Sequence, residues 1–167
     1  MAVKTILLLG DPRLYETSEP VRHDELEEME GVVRDLHDTL LAFRKKYKAG
    51  RAIAAPQIGV KKRLLYMFTG EPTVFINPRP EGFSREKMIV WDDCMCFPDL
   101  LVKVERSRSF RLRYKDLQWR DRQMTLEGDL SELLQHEYDH LDGILAVQRA
   151  VDERSFALRS QRGLLSR

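Results

Sequence analysis

The chain has 167 residues, 43% apolar and 33% charged, with a formal net charge of +1. That length suits one domain over residues 1–167, able to bury around two-thirds of its unfolded surface. A charge so near zero excludes a global pull toward nucleic acid or an anionic membrane, and no apolar run is long enough to span a bilayer.

At the start, Ile6-Leu7-Leu8-Leu9 is followed by the turn-forming Gly10-Asp11-Pro12, an apolar run too short for a secretory signal core. Residues 24–47 predict a long amphipathic helix, because Leu26, Met29, Val33, Leu36, Leu40, Phe43 and Tyr47 recur at three- and four-residue steps. Five acids between Asp24 and Glu30 open it and Arg44-Lys45-Lys46 close it, complementing the helix dipole. His23 reads as part of the helix start and His37 as a surface or boundary residue.

From residue 50 the pattern changes to short extended runs at 53–57, 63–69, 73–77, 87–92, 101–114 and 123–126. Turns are expected at Gly59, Gly70-Glu71-Pro72, residues 78–82 and Pro98-Asp99. Residues 103–122 hold eight basic side chains against three acidic ones, which we read as solvated strand faces. A second helix follows, and residues 152–161 predict a short C-terminal amphipathic helix. The class is α+β: mostly antiparallel sheets packed around the second helix, with a long N-terminal helix and a short C-terminal one.

That second helix carries His136-Glu137-Tyr138-Asp139-His140. Residues four apart on a helix share one face, so His136 and His140 can aim two imidazoles at one ion. Glu137 stands beside the first ligand, where its carboxylate can serve as general base toward water. Asp129 or Ser131 is expected to cap the helix, Leu130, Leu133, Leu134 and Leu141 to form its apolar stripe, and Gly143 to end it. The two cysteines, Cys94 and Cys96, lie too close in sequence to close a loop, which favours a reducing cytoplasm and a ligand role beside the histidines. In an extended segment they share a face, and either can approach the ion. A Cys-His-His shell leaves one position open, and thiolate with imidazole suits Fe(II), Ni(II), Co(II) or Zn(II).

Three segments together resemble the peptide deformylase family: Gly50-Arg51-Ala52-Ile53-Ala54-Ala55-Pro56-Gln57, then Asp92-Asp93-Cys94-Met95-Cys96, then His136 to His140. The opening from Ile6 to Pro20, the long helix and Leu141-Asp142-Gly143 also fit, so the resemblance covers nearly the whole chain. It implies Cys94, His136 and His140 as ligands of one divalent ion, commonly Fe2+, with Ni2+ or Zn2+ as substitutes. It implies Glu137 as the base, and Gln57 with the Met95 backbone N–H as donors to the developing oxyanion. The implied reaction is hydrolysis of the N-formyl group from N-terminal formylmethionine of nascent polypeptides, releasing formate.

The chain departs from the family pattern at four positions near the site. Asp92 shortens a glutamate, Asp93 replaces a glycine, Ala52 adds a methyl, and Glu132 stands where an apolar residue lines the methionine pocket. Asp93 is expected to add negative charge at the site, and to strain the backbone if its φ is positive. Glu132 reads either as a solvent-facing helix residue or as an altered pocket. These departures leave as an alternative a divergent hydrolase of the same fold acting on another N-acyl or amide substrate. Two other readings compete. A zinc protease needs a histidine or glutamate ligand after the helix; no histidine follows His140, leaving Glu153. An RNA or ribosome-binding module would use residues 103–122 and Arg149, Arg154, Arg159, Arg162 and Arg167, but Phe110, Tyr114 and Trp119 look like core and strand residues. The basic C-terminal segment still suits transient ribosome contact, without recognition of a nucleic-acid sequence.

Overall fold

A computed structural model describes residues 2–166; Arg167 lies outside the described residues. The N-terminal segment runs extended, its Leu7 N–H donating to Gln57 O and its Leu9 N–H to Cys96 O. It thereby ties down two segments that later meet at the site. A short 3-10 turn at His23–Glu25 leads into α1, Leu26–Tyr47, which ends at Lys48 in the left-handed region. Met29, Leu36, Leu40 and Phe43 are buried along one face of α1. They pack on Ile53, Leu64, Tyr66 and Ile76, as the helical spacing requires. His37 sits at the boundary, its Nδ1 2.7 Å from the Tyr66 hydroxyl, while the His23 ring meets Trp119 edge-on.

The strands are β1 (Ala52–Ala54), β2 (Leu64–Phe68), β3 (Pro72–Glu81), β4 (Lys87–Asp93), β5 (Leu100–Ser107), β6 (Ser109–Lys115), β7 (Asp121–Glu127) and β8 (Phe156–Leu158). They form two antiparallel sheets, β1-β2-β3-β6-β7 and β4-β5-β8. The expected strand 101–114 is broken at Arg108, and its halves join different sheets. Residues 78–81 are strand rather than turn: Pro78 is absorbed where the β3–β6 register shifts, and Asn77 takes φ 49° there. The Asn77 amide then holds the Val21 backbone through both its oxygen and its nitrogen.

Helix α2, Gly128–Leu141, packs against β1, β7 and β5 and so lies between the sheets. Leu133, Leu134 and Leu141 bury into Leu65, Phe75, Phe110 and Leu126, whereas Leu130 is exposed. Neither expected cap operates. Glu127 precedes the helix without a side-chain cap, and the Ser131 hydroxyl instead donates to Ser107 O at 2.8 Å, fastening α2 to β5. Gly143 follows α2 with φ 70°, and a Cβ there would overlap the Tyr15 backbone, so the chain's exit needs glycine. The short C-terminal helix is a 3-10 turn, Arg159–Leu164, beginning later than residue 152. Before it, β8 pairs with the β5 edge, Leu101 opposite Ala157, because that edge offers backbone partners a short isolated helix would lack.

Candidate metal centre

The four candidate site residues arrive from three separate segments. Cys94 follows the last residue of β4, His136 and His140 project from α2, and Gln57 lies in a 3-10 turn, Ala55–Ile58, just after β1. Cys94, His136 and His140 are all buried, and their ligating atoms lie within 4.8 Å of one another. His140 Nε2 is 3.2 Å from His136 Nε2 and 3.4 Å from Cys94 Sγ. Nitrogen and sulfur ligands at about 2.0–2.3 Å from a tetrahedral ion stand roughly 3.3–3.6 Å apart, so this donor set has the spacing and chemistry for one borderline divalent cation. Among the described buried side chains, Glu137 Oε2 lacks a hydrogen-bond partner, as does His140 Nδ1. Charge-bearing groups crowded there call for a compensating cation and a water.

Gln57 is fully buried and its orientation is fixed: Oε1 accepts from Ala54 N–H at 2.8 Å. Its Nε2 therefore points toward the two sulfurs, 3.6 Å from Cys94 and 3.5 Å from Cys96. Met95 is buried in the turn between them. The segment is not extended at Cys96, whose N–H donates back to Cys94 Sγ. Only Cys94 joins the histidine group among the described residues, while Cys96 is a small buried residue packed with Leu14, Phe97 and Leu145. Glu153 is exposed and joins no such group.

A buried charge network supports this arrangement. Asp92 Oδ2 accepts from His136 Nδ1 at 2.8 Å and from Arg106 Nη2 at 3.1 Å. Arg106 also donates to Asp139 at 2.6 Å, and Asp139 is gripped from its other side by Arg149. Burial would raise the Asp92 carboxyl, but His136 and Arg106 outweigh it and hold it below its usual range. Burial would lower His136; Asp92's charge and hydrogen bond prevail and push it up to about 10. Burial lifts Glu137 to about 7, with Asp92 and Glu132 adding to the rise against His136. His140 is driven well down by burial and by His136, and burial pushes the Cys94 thiol up.

Arg106 and Arg149 depart from what the sequence leads one to expect: Arg106 is buried rather than on a solvated strand face, and both arginines pair with Asp139. The available signal is parity: Val102, Val104 and Arg106 occupy alternate, inward-facing positions of β5, so this arginine is buried while its basic neighbours are solvated.

The four departures resolve individually. Asp92 reaches His136 despite its shorter side chain. Asp93 is the last residue of β4, opposite Leu101, and is not among the positive-φ residues, so no strain arises. Its charge does not stand alone either, because Arg159 Nη2 lies 2.8 Å from its carboxylate. Ala52 is buried in the cavity wall. Glu132 faces that cavity rather than solvent, paired with Arg51 at 2.8 Å. Burial, with Asp92, raises its carboxyl against the pull of Arg51.

The family model described as polypeptide deformylase matches residues 3–156. A peptide deformylase of Pseudothermotoga lettingae is 36% identical over 159 residues, covering 95% of this chain and 90% of its own. One from Rhizobium meliloti is 37% identical over 154 residues, covering 88% and 84%. The crystal structure of the Thermotoga maritima peptide deformylase superposes with a TM-score of 0.84 at 27% identity, over 91% of this chain and 100% of its own. An Acinetobacter baumannii peptide deformylase solved with Met-Ala-Ser bound gives 0.81 at 28% identity, over 89% and 98%. The chain belongs to the polypeptide deformylase family.

Proposed function

We propose that this chain, as a single catalytic domain over residues 1–167, hydrolyses the N-formyl group of N-terminal formylmethionine on nascent polypeptides, releasing formate. The observation that carries the reading is the convergence of three buried N and S donors beside a buried carboxylate, Glu137, with a free oxygen. Cys94, His136 and His140 hold the ion, Fe2+ natively, with Ni2+ or Zn2+ suiting the same donors. When bound, the ion supplies Lewis acidity and brings the pKa of water there toward about 7.

The chain's own groups do the rest. Glu137 takes the proton of the attacking water and later delivers it to the departing amine; burial already places its carboxyl near neutral pH. Gln57 Nε2, aimed by the Ala54 hydrogen bond, and the Met95 N–H donate to the oxygen as negative charge develops on it. One such donor is worth about 3 to 4 kcal/mol of transition-state stabilisation. Asp92 fixes the His136 ring, and the Arg106–Asp139–Arg149 chain fixes Asp92.

A cytoplasmic location fits the free cysteines, and among the described residues no helix is long and apolar enough to cross a membrane. Transient ribosome contact would rest on Arg154, since Arg149 is engaged with Asp139, and Arg159 and Arg162 with Asp93. Anaerobically purified protein is expected to release formate from a formyl-Met peptide, with Glu137→Gln slower by about 10²- to 10⁴-fold. Activity equal to that variant's would refute the reading.

A further inference from the structure

One residue of the C-terminal segment grips the turn that carries Cys94. Arg159 Nη2 donates to Asp93 Oδ2 at 2.8 Å, its Nε donates to Pro98 O at 2.7 Å, and its backbone N–H donates to Asp99 O at 2.8 Å. These bonds land on both sides of Cys94-Met95-Cys96-Phe97, which holds the proposed thiolate ligand and the proposed oxyanion N–H. Inside the turn the backbone closes through Phe97 N–H to Cys94 O at 3.1 Å, and Leu9 N–H reaches Cys96 O at 2.8 Å from the N-terminal segment.

Arg159 is itself held in place. Its neighbour Leu158 pairs with Leu100 of β5, and beyond it Trp91 Nε1 donates to Ser166 O at 3.1 Å. A guanidinium presents its N–H groups in a rigid plane, so bonds to Asp93 and Pro98 from one such group fix how far apart the two ends of the turn stand. The side chains of Arg159 and Asp93 are 26% and 39% exposed, so as an ion pair alone they add little stability. Their consequence is geometric, because both line the cavity beside Cys94.

We propose that Arg159 is a positioning residue for the metal centre: acting through Asp93 and Pro98, it sets where the Cys94 sulfur and the Met95 N–H stand relative to α2. Asp93, which stands where the family pattern has a glycine without a side chain to grip, is the partner that makes this clip possible. The kinetic part of the inference rests on the deformylase reading; the ion-binding part does not.

The test uses the full chain loaded with Co2+, whose thiolate charge-transfer absorption reports the sulfur–metal bond. Arg159→Met should weaken that band and raise the Co2+ dissociation constant about tenfold. With formyl-Met-Ala-Ser, kcat should fall about 10- to 100-fold while KM stays within about twofold, since the reacting groups are misplaced but the cavity remains. Asp93→Ala keeps the two backbone-directed bonds of Arg159, and so the docked segment, and should show the same changes in smaller measure. The double variant should be no worse than Arg159→Met alone, as expected of two residues acting through one contact. A lower Tm with the band, the dissociation constant and kcat unchanged would overturn the inference, as would effects of the two substitutions that simply multiply. Formate release by the unaltered protein no faster than by Glu137→Gln would remove the deformylase reading instead, and the Co2+ band and affinity would still decide whether Arg159 positions the sulfur.

Discussion

Asp92 Oδ2 accepts a hydrogen bond from His136 Nδ1 at 2.8 Å, which leaves the opposite ring nitrogen facing His140 Nε2 across 3.2 Å. That bond sets the tautomer: a proton on Nδ1 keeps the Nε2 lone pair available for a cation. In the proposed site Asp92 thus serves as a positioning residue acting through His136.

Removing the Asp92 charge should therefore weaken ion binding without abolishing it. Asp92→Asn is expected to raise the dissociation constant for Zn2+ about 10- to 100-fold, measured by competition with a chromophoric chelator. An unchanged constant would show that the ring is oriented by packing alone.

The same cluster makes the protein without its ion pH-sensitive. His136, at about 10, and Glu137, at about 7, both lie above their ordinary values of 6.5 and 4.5. The folded chain then binds more protons than the unfolded one, so these groups stabilise less as pH rises. The His136 contribution is complete below pH 6.5 and is lost as pH climbs through about 10; the Glu137 contribution is complete below 4.5 and is lost through about 7. Thermal scans of chelator-treated protein should show Tm falling between about pH 6 and 9, while ion affinity rises as the His136 proton becomes easier to displace. A Tm that rises over that interval would contradict this assignment.

Arg106 bridges two buried carboxylates, Asp92 and Asp139, with its side chain 3% exposed. Arg106→Met leaves Asp92 and Asp139 facing each other without it and should cost about 3–5 kcal/mol in denaturant unfolding. Arg120→Met, which removes a partner of Asp116 at the surface, should cost less than about 1 kcal/mol.

Much of this was legible in the sequence where a short-range period governs the structure. The α1 stripe needs only the 3.6-residue repeat, and His136 and His140 need only their spacing of four. The fate of Glu132 was not legible, because facing solvent or cavity depends on Arg51, distant in sequence and opposite in charge. Arg106 was hidden in a basic run, since its burial requires carboxylates from two other elements. Residues 156–158 carry helix-compatible composition, and only the open edge of β5 turns them into a strand. The α2 start departs from the expected caps for a similar reason: Ser131 finds a partner on β5 instead of on its own helix.

X-ray absorption at the metal edge of Zn2+-reconstituted protein addresses the donor set directly. The unaltered protein should show one sulfur at about 2.3 Å and two imidazole nitrogens at about 2.0–2.1 Å. Cys94→Ser should lose the sulfur shell and Cys96→Ser should keep it. A sulfur shell that survives Cys94→Ser, or disappears in Cys96→Ser, would contradict the assignment of Cys94, His136 and His140 as the ion's ligands.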